Sequence, residues 1–251
     1  MNTIKIAVLI PTFNEVQNLP ALLHTMHSVS AKFKDVLFTI YIIDDSSPDG
    51  TAECADRLNK ELEGDSFKVS VIRRLKKEGL GKAYIDGFKQ MLSLGATYDF
   101  VLQMDADLSH NPEYIGQFVN AVRTGADFVV GSRYIQGGAC PDWSWYRKLL
   151  SRGGNTYARL ILGRKITDYT GGFNMYSLSV LNKINWDTLD SAGYGFLIDL
   201  KYQAQQVSQK IIEIPIQFLD RQHGQSKMPL NTIFQNFALV LRIKIKHMAA
   251  K

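Results

Sequence analysis

The sequence predicts an α/β fold in which a mostly parallel sheet carries helices on both faces. Along the first two-thirds of the 251 residues, short runs rich in β-branched residues alternate with amphipathic runs of helical spacing. Parallel strands need crossover connections, which helices usually provide, so this alternation favours a parallel sheet. The composition, 45% hydrophobic and 21% charged, is that of a globular chain long enough to bury a large core.

Each predicted element has a local reason. The run at residues 4–10 (IKIAVLI) is almost continuously apolar, as in a strand buried on both faces. Similar runs predict further strands at residues 37–43, 67–72, 100–104 and 128–130. Helical spacing predicts helices at residues 19–29, 51–62, 81–94 and 112–124. Asn18 and Thr51 are of the residue types that cap helix N-termini, and Gly95 is typical of a helix stop.

The pattern changes after Gly131. Residues 132–165 are rich in aromatic residues and arginines and predict a loop followed by a helix. The remaining predicted elements are a strand at 172–176, a helix at 193–207, a strand at 210–219 and an amphipathic helix at 230–246. We therefore expect one main domain over residues 1–229 and a C-terminal helical appendage over residues 230–251.

The net charge of +5 is concentrated at one end of the chain. Residues 221–251 contain six basic residues and no acidic residue, so the rest of the chain carries a net charge of −1. A nucleic-acid-binding protein would present a broader basic face. Nucleic acid is therefore not a predicted partner.

Two further features bear on where the protein works. Cys54 and Cys140 fit neither a zinc pattern nor a CxxC motif, which predicts free thiols in a reducing compartment. No run of about 18 apolar residues occurs, so no transmembrane helix is predicted. We expect a cytoplasmic location.

Acidic residues follow the predicted strands. Asp44 and Asp45 end the second strand, and Asp105 and Asp107 come directly after the fourth. Ligands of an open parallel sheet bind beyond the carboxyl ends of its strands, where these carboxylates repel one another unless a cation joins them. Two carboxylates at i and i+2 can reach one Mg²⁺, which completes its shell with water and phosphate oxygens. A metal–diphosphate site is the preferred interpretation, and a cap for the helix at Pro112 is the alternative.

Two common phosphate-binding motifs are absent from the sequence. It contains no GxxxxGK[ST] and no GxGxxG after the first strand, which argues against a P-loop enzyme and a dinucleotide dehydrogenase. The segment GLGK at residues 79–82 lacks that spacing and predicts a tight turn onto a helix.

The ordered motifs resemble those of the family-2, A-type (GT-A) glycosyltransferases, and within them the dolichol-phosphate (polyprenol-phosphate) mannose synthases. The matching segments are PTFNE at 11–15, DDSSPDGT at 44–51, GLGKAY at 79–84, DADLSHNPE at 105–113, GSRY at 131–134, WYRKLLSRGGN at 145–155, DYTGGFN at 168–174 and RQHGQSK at 221–227. Each segment alone is ordinary, whereas the set in this order spans nearly the whole chain.

The resemblance implies a GT-A fold with a Rossmann-like sheet and a nucleotide-sugar donor, most often GDP-mannose. The residues implied around the base and ribose of the donor are Pro11, Phe13, Glu15 and Asp45. The ligands implied for Mg²⁺ or Mn²⁺ on the diphosphate are Asp105, Asp107 and, in a position where relatives can carry Gln, Ser109. The two residues implied near the donor diphosphate are Arg221 and Lys227.

The resemblance also implies a polyprenyl monophosphate as the acceptor. The residues that match its phosphate-binding positions are Arg133, Arg147 and Ser151. The planar fork of arginine suits phosphate oxygens, although a lone arginine on a helix more often faces solvent, which is the alternative for Arg147. Trp143, Trp145 and Tyr146 crowd the same stretch and belong either to the core or to a membrane interface.

The expected reaction is direct displacement at the anomeric carbon with inversion. The second pKa of a phosphate monoester lies near 6, so the acceptor needs no strong general base. Asp107 and Arg133 are expected to carry catalysis by positioning and charge neutralisation, while His110 is interpreted as a loop histidine. The alternatives are transfer of glucose or another sugar from a UDP-sugar to a polyprenyl phosphate or saccharide, and a non-catalytic subunit that binds nucleotide sugar.

A polyprenyl phosphate acceptor lies in a membrane, so the protein has to reach the membrane surface. The final predicted helix pairs an apolar stripe with basic residues, and each cation near an anionic surface contributes on the order of 1 kcal/mol. We expect peripheral attachment to the cytoplasmic face of a membrane. Docking on a small membrane subunit and packing of the helix on the domain are the alternatives.

Overall fold

The computed structural model describes residues 3–189 and 195–220, the backbone of residues 231–249 and the side chains of residues 238–248. The strands of this part are β1 Ile4–Thr12, β2 Val36–Asp44, β3 Phe67–Arg73, β4 Phe100–Gln103, β5 Phe128–Ser132, β6 Asn174–Ser177 and β7 Ile211–Pro215. Its α-helices are α1 Leu19–Ser30, α2 Thr51–Leu62, α3 Leu80–Ser93, α4 Ile115–Arg123, α5 Trp145–Leu162, α6 Leu178–Leu181, α7 Gly195–Val207 and α8 Asn231–Ala249.

The strands form one sheet in the order β3-β2-β1-β4-β6-β5-β7. All neighbouring pairs are parallel except those of β6, which runs antiparallel to both β4 and β5. One apolar cluster packs α1, α2 and α4 on one face, and a second packs α3, α5 and α7 on the other. The predicted α/β class, with a mostly parallel sheet covered on both faces, is confirmed.

The first strand continues past the predicted end at residue 10 and includes Pro11. Proline lacks an N–H group and is normally excluded from central strands. On one side β1 pairs with β2 as far as Thr12, but on the other side its pairing with β4 stops at Leu9. Because no strand pairs with β1 on that side at Pro11, the missing donor costs the sheet no ladder hydrogen bond.

The reversed direction of β6 determines which loops meet at the carboxyl edge of the sheet. Asn174, the first residue of β6, lies opposite Gln103 of β4 and Val130 of β5. The loop that precedes β6, residues 168–173, therefore arrives at the same edge where β4 and β5 end. The sequence predicted this strand but not its direction.

Helix α8 packs on the rest of the chain through its described side chains. Val240 and Ile243 are buried in the second apolar cluster, against α5 and α7. The fully buried Asp199 of α7 accepts a hydrogen bond from Lys246 Nζ at 3.1 Å, and its other carboxylate oxygen contacts His247 Nε2 at 2.7 Å. This part of α8 is thus held by apolar and ionic contacts, while the division of the chain at residue 229 stays a prediction. In the part of the chain that the structure describes, no helix combines the length and apolarity needed to cross a membrane.

Candidate active site

Side chains between the end of β2 and the first residue of α2 bind the backbone of the loop after β1. The three hydrogen bonds are Asn14 N to Ser47 Oγ at 3.0 Å, Glu15 N to Thr51 Oγ1 at 3.0 Å and Val16 N to Asp49 Oδ2 at 3.1 Å. The polar residues of the DDSSPDGT motif therefore fix the shape of the PTFNE loop. This arrangement places all four predicted donor residues, Pro11, Phe13, Glu15 and Asp45, at the carboxyl ends of β1 and β2.

The two predicted capping side chains are used by this loop pair instead. Asn18 occupies the N-cap position of α1 without a side-chain cap bond, and its Nδ2 donates to Glu15 Oε2 at 2.6 Å. The N-cap of α2 is Gly50, at φ 85°, and the Thr51 hydroxyl donates to Asp49 Oδ1 at 2.6 Å. Asn18 is thus the N-cap residue of α1, as predicted, although its side chain makes no cap bond. The prediction of Thr51 as a cap is wrong, because Gly50 takes that position and the Thr51 hydroxyl accepts the backbone N–H of Glu15.

Asp45 carries a buried ion pair that sequence reasoning missed. Asp45 is 5% exposed and bonded to the Arg74 guanidinium, which also donates to Asp86 Oδ2 at 3.0 Å. The Lys77 ammonium lies 3.6 Å from the centroid of the Phe13 ring. Arg74 directly follows β3, which is the signal that could have placed it at the same edge as Asp45.

Asp105 and Asp107 lie just beyond β4, as predicted. Asp107 is 4% exposed, and its Oδ1 accepts both the backbone N–H of Ser109 at 3.1 Å and its hydroxyl at 2.5 Å. Leu108, between them, has φ 64°, a left-handed conformation that bends the loop back on itself. Ser109 therefore orients the Asp107 carboxylate, and Asn111 caps the following helical turn through Glu113 N.

His110 is a buried part of the same loop. Its Nδ1 accepts the backbone N–H of Asp105 at 3.0 Å, so the ring carries its proton on Nε2 and is neutral. The ring stacks on Phe173 with a centroid distance of 5.1 Å, and burial lowers the pKa of His110. His110 supports the backbone of Asp105, a role that its position in the sequence does not reveal.

The residues around Asp105 and Asp107 fit a divalent cation. Two carboxylates are hard oxygen ligands of the kind that Mg²⁺ and Mn²⁺ prefer. A Cβ atom on Gly172 would lie 3.3 Å from His110 Cε1 and 3.4 Å from Asp105 Oδ1, so the loop before β6 passes directly beside this carboxylate. Among the described residues no group of three His, Cys, Asp or Glu side chains could hold a metal ion, so within this part of the chain Asp105 and Asp107 are the two carboxylates available to one.

Arg133 forms a buried, bidentate ion pair with Asp168. Its Nε and Nη2 lie 2.7 and 2.8 Å from the two carboxylate oxygens, and Nη2 also donates to Thr170 Oγ1 at 2.7 Å. Burial alone would raise the pKa of Asp168, but the Arg133 guanidinium lowers it well below the usual range. Within the described part of the chain no acceptor is found for Nη1 of Arg133.

A second cation lies behind this pair. Lys201 of α7 is fully buried, and its Nζ donates to the backbone carbonyl of Asp168 at 2.7 Å. Burial lowers the pKa of Lys201 to about 8. Asp168 and Lys201 are functional candidates that sequence reasoning missed, because their partners lie more than 30 residues away along the chain.

The structure brings the three predicted acceptor residues towards one another. Arg147 packs over the Trp143 ring at 4.0 Å from its centroid, and the Arg133 guanidinium lies 5.5 Å from the same ring. The Ser151 hydroxyl is 2.6 Å from that of Tyr134. Arg147 also pairs with Asp220 at 3.2 Å. The predicted donor residues Arg221 and Lys227 lie outside the described residues.

The sequence model described as Glycosyl transferase family 2 matches residues 7–184. An undecaprenyl-phosphate mannosyltransferase of Micrococcus luteus is 41% identical over 224 residues, 89% of this chain and 87% of that protein. A polyprenol monophosphomannose synthase of Mycolicibacterium smegmatis is 42% identical over 221 residues, 88% of this chain and 80% of that protein.

Solved structures share the fold at lower sequence identity. Glucosyl-3-phosphoglycerate synthase from Mycobacterium tuberculosis, in complex with Mg²⁺ and uridine diphosphate, has a TM-score of 0.64 at 19% identity. The match covers 96% of this chain and 79% of that chain. The seven-stranded sheet and its helices thus belong to an architecture already seen in solved enzymes.

Proposed function

This chain belongs to glycosyl transferase family 2, and on that premise we propose that it transfers mannose from GDP-mannose to a polyprenyl monophosphate with inversion. The relatives at 41% and 42% identity are named for mannosyl transfer to such lipids, which supports the sugar and the acceptor class. Recognition of guanine rather than another base is part of the proposal and has to be tested.

One observation carries the proposal: the Asp105 carboxylate and the Arg133 guanidinium both lie against the loop at residues 168–173. Asp105 lies on one side of loop 168–173, next to Gly172. Arg133 lies on the other side and bonds to Asp168 and Thr170. A donor diphosphate at the first side and an acceptor phosphate at the second would face each other across a sugar.

The chain's own residues act by binding and orientation. The acceptor phosphate is proposed to bind to Arg147, to Ser151 and to Nη1 of Arg133. This phosphate is largely dianionic near neutral pH and can attack without a strong base. Pro11, Phe13, Glu15 and Asp45 are proposed to bind the nucleoside, with Arg221 and Lys227 near the diphosphate.

The metal requirement is part of the proposal. Asp105 and Asp107 would hold Mg²⁺ or Mn²⁺, with Ser109 as a further ligand or, as its hydrogen bonds suggest, as a support for Asp107. When bound, such a cation neutralises negative charge that develops on the leaving diphosphate.

A donor screen tests the proposed function. The purified protein is incubated with a panel of radiolabelled GDP- and UDP-sugars, a polyprenyl phosphate and Mg²⁺ or Mn²⁺. Label should move to the lipid fraction from GDP-mannose, and chelation with EDTA should stop the transfer. Preferred transfer from a UDP-sugar supports the alternative donor, and metal-dependent GDP binding with no transfer from any donor supports a non-catalytic subunit.

We also propose that the protein binds the cytoplasmic face of a membrane peripherally, through an exposed apolar face on α5 and α8. The exposed apolar side chains proposed to make this contact are Trp145, Tyr146, Leu149 and Leu150 of α5 and Leu241, Ile245 and Met248 of α8. The two helices pack together, and the α5 part is continuous with the proposed acceptor residues Arg147 and Ser151. Trp143, by contrast, is buried.

The buried free thiols of Cys54 and Cys140 fit a reducing compartment.

A Trp145→Glu variant is expected to bind anionic vesicles roughly 10- to 100-fold more weakly than the wild type. Trp145 is 77% exposed, and burying about 100 Å² of indole in the interface contributes about 2 to 3 kcal/mol. The measurement is co-flotation with vesicles that contain phosphatidylserine.

Leu75→Glu is the matched control, because Leu75 is fully exposed in the loop between β3 and α3. Equal flotation of Trp145→Glu and the wild type contradicts the proposed surface. Flotation that occurs only when a small membrane subunit is added indicates that the protein docks on such a subunit instead. Deleting residues 230–251 is a poorer test, because it removes Lys246 and His247 from the buried Asp199.

A further inference from the structure

The hydroxyl of Tyr84 reaches the proposed metal site from inside the core. It lies 2.9 Å from the carbonyl oxygen of Met104 and 3.2 Å from Oδ1 of Asp105. Neither a carbonyl nor a carboxylate oxygen can donate, so both accept the one hydroxyl hydrogen of Tyr84. Tyr84 therefore fixes Oδ1 of Asp105 and the backbone immediately before it.

The position of the Tyr84 ring is determined by packing. The ring is fully buried and stacks on Phe196, with a centroid distance of 5.7 Å and an interplanar angle of 6°. Helix α3 approaches the sheet closely because of Gly87, where a Cβ atom would lie 2.5 Å from Ile43 Cδ1. Glycine at this position lets Ile43 keep its conformation while α3 packs close enough to the sheet for the Tyr84 hydroxyl to reach Asp105.

Two further contacts restrict Asp105 on its other sides. His110 Nδ1 accepts its backbone N–H at 3.0 Å, and Gly172 lies against its carboxylate. Asp105 is thus contacted from α3, from its own loop and from the loop before β6. Of these three neighbours, Tyr84 is the one that binds the carboxylate itself through a side-chain donor.

We propose that Tyr84 is a positioning residue that presets the Asp105 carboxylate for the divalent cation. The GLGKAY motif then has a function: its turn starts α3 so that the tyrosine five residues after Gly79 reaches the end of β4. The proposal rests on the proposed function, because it takes Asp105 as a metal ligand. Outer-shell partners of this kind typically contribute about 10- to 100-fold to metal affinity.

The test is a Mn²⁺ titration of the full chain in the presence of GDP, followed by electron paramagnetic resonance of free Mn²⁺. Tyr84→Phe is expected to bind Mn²⁺ about 10- to 100-fold more weakly than the wild type. Transfer activity of this variant should be low at limiting Mn²⁺ and recover at saturating Mn²⁺. The Phe ring preserves the stacking on Phe196, so a role of Tyr84 confined to packing predicts no loss of activity at limiting Mn²⁺.

Tyr176→Phe is the matched control. Tyr176 is also fully buried in the same aromatic cluster, and its hydroxyl lies 3.5 Å from Gln103 Oε1. Thermal unfolding is measured for both variants, and binding is compared at a temperature where both are folded. Mn²⁺ affinity lost in Tyr84→Phe alone supports the inference.

Three results overturn the inference, and they differ in what they say about the proposed function. Unchanged Mn²⁺ affinity in Tyr84→Phe, with tight binding by the wild type, rejects the positioning role and leaves the metal site standing. Absence of Mn²⁺ binding by the wild type with GDP rejects both. An equal loss of affinity in Tyr84→Phe and Tyr176→Phe also rejects the inference, since it indicates a general effect of removing a buried hydroxyl.

Discussion

Replacing Asp107 with alanine is expected to lower kcat for sugar transfer on the order of 10³-fold or more while the protein stays folded. Asp107 is nearly buried, and Ser109 holds its Oδ1 through two hydrogen bonds. The carboxylate is thus fixed at the edge of the sheet, where it would share a cation with Asp105. Alanine removes one ligand and half of the negative charge that attracts this cation. The measurement is the rate of transfer from GDP-mannose to a polyprenyl phosphate, with circular dichroism as the check on folding.

Two variants control for effects other than the loss of the ligand. Asp187→Ala removes a carboxylate that is 91% exposed and pairs with Lys89 on the surface, so it should leave transfer unchanged. Asp107→Asn keeps an acceptor for Ser109 but lacks the charge, and should be nearly as inactive as Asp107→Ala. Full activity of purified Asp107→Ala would reject the assignment of this residue.

Replacing Asp168 with alanine is expected to lower the free energy of unfolding by about 3 to 5 kcal/mol and to impair transfer together with it. The Arg133 guanidinium would keep its charge but lose the carboxylate that binds it at two points, and an unpaired buried charge is costly. Backbone N–H groups of Thr170 and Gly171 would also lose their acceptor. Denaturant unfolding at pH 7 measures the loss of stability.

Removing both charges separates stability from function. Arg133→Met combined with Asp168→Leu should recover part of the lost stability, because apolar residues can replace a buried ion pair. It should not recover transfer if Arg133 binds the acceptor phosphate. Wild-type stability in Asp168→Ala, or normal transfer by the double variant, would contradict this account.

The same ion pair predicts a dependence on acid. The pKa of Asp168 in the folded protein lies below its value in the unfolded chain, near 3.9. The pair therefore contributes its stability above that unfolded value, and the contribution is lost as the pH falls towards the folded pKa. Asp168→Ala should accordingly lose less stability than the wild type between pH 5 and pH 2.

The sheet and the carboxylates of the site were predictable because they depend on local patterns. Strand-like runs followed by acidic residues are enough to place Asp45, Asp105 and Asp107 at the ends of strands. The rule that parallel strands end at a common edge then brings these residues together. What the sequence does not reveal are the partners that hold them.

Those partners were missed for physical reasons. Arg74, Tyr84 and Asp168 act through contacts between segments that are distant along the chain, and a sequence pattern records only neighbours. Residue type also misled, since Asn18 and Thr51 have the chemistry of helix caps but use it on the loop of Glu15. The direction of β6 was not predictable, because a short buried strand has the same pattern in either direction.

That reversed strand determines the distance between the proposed metal site at Asp105 and the proposed acceptor site at Arg133. Since β6 lies between β4 and β5, the backbones that carry Asp105 and Arg133 are two strand spacings apart, or about 10 Å. Hydrogen bonds along the ladder fix the spacing of the strand ends, so loop mutations are expected to alter which molecules bind more readily than the spacing of the two proposed binding points. Engineering efforts that aim at larger transferred groups would have to redesign the central sheet itself.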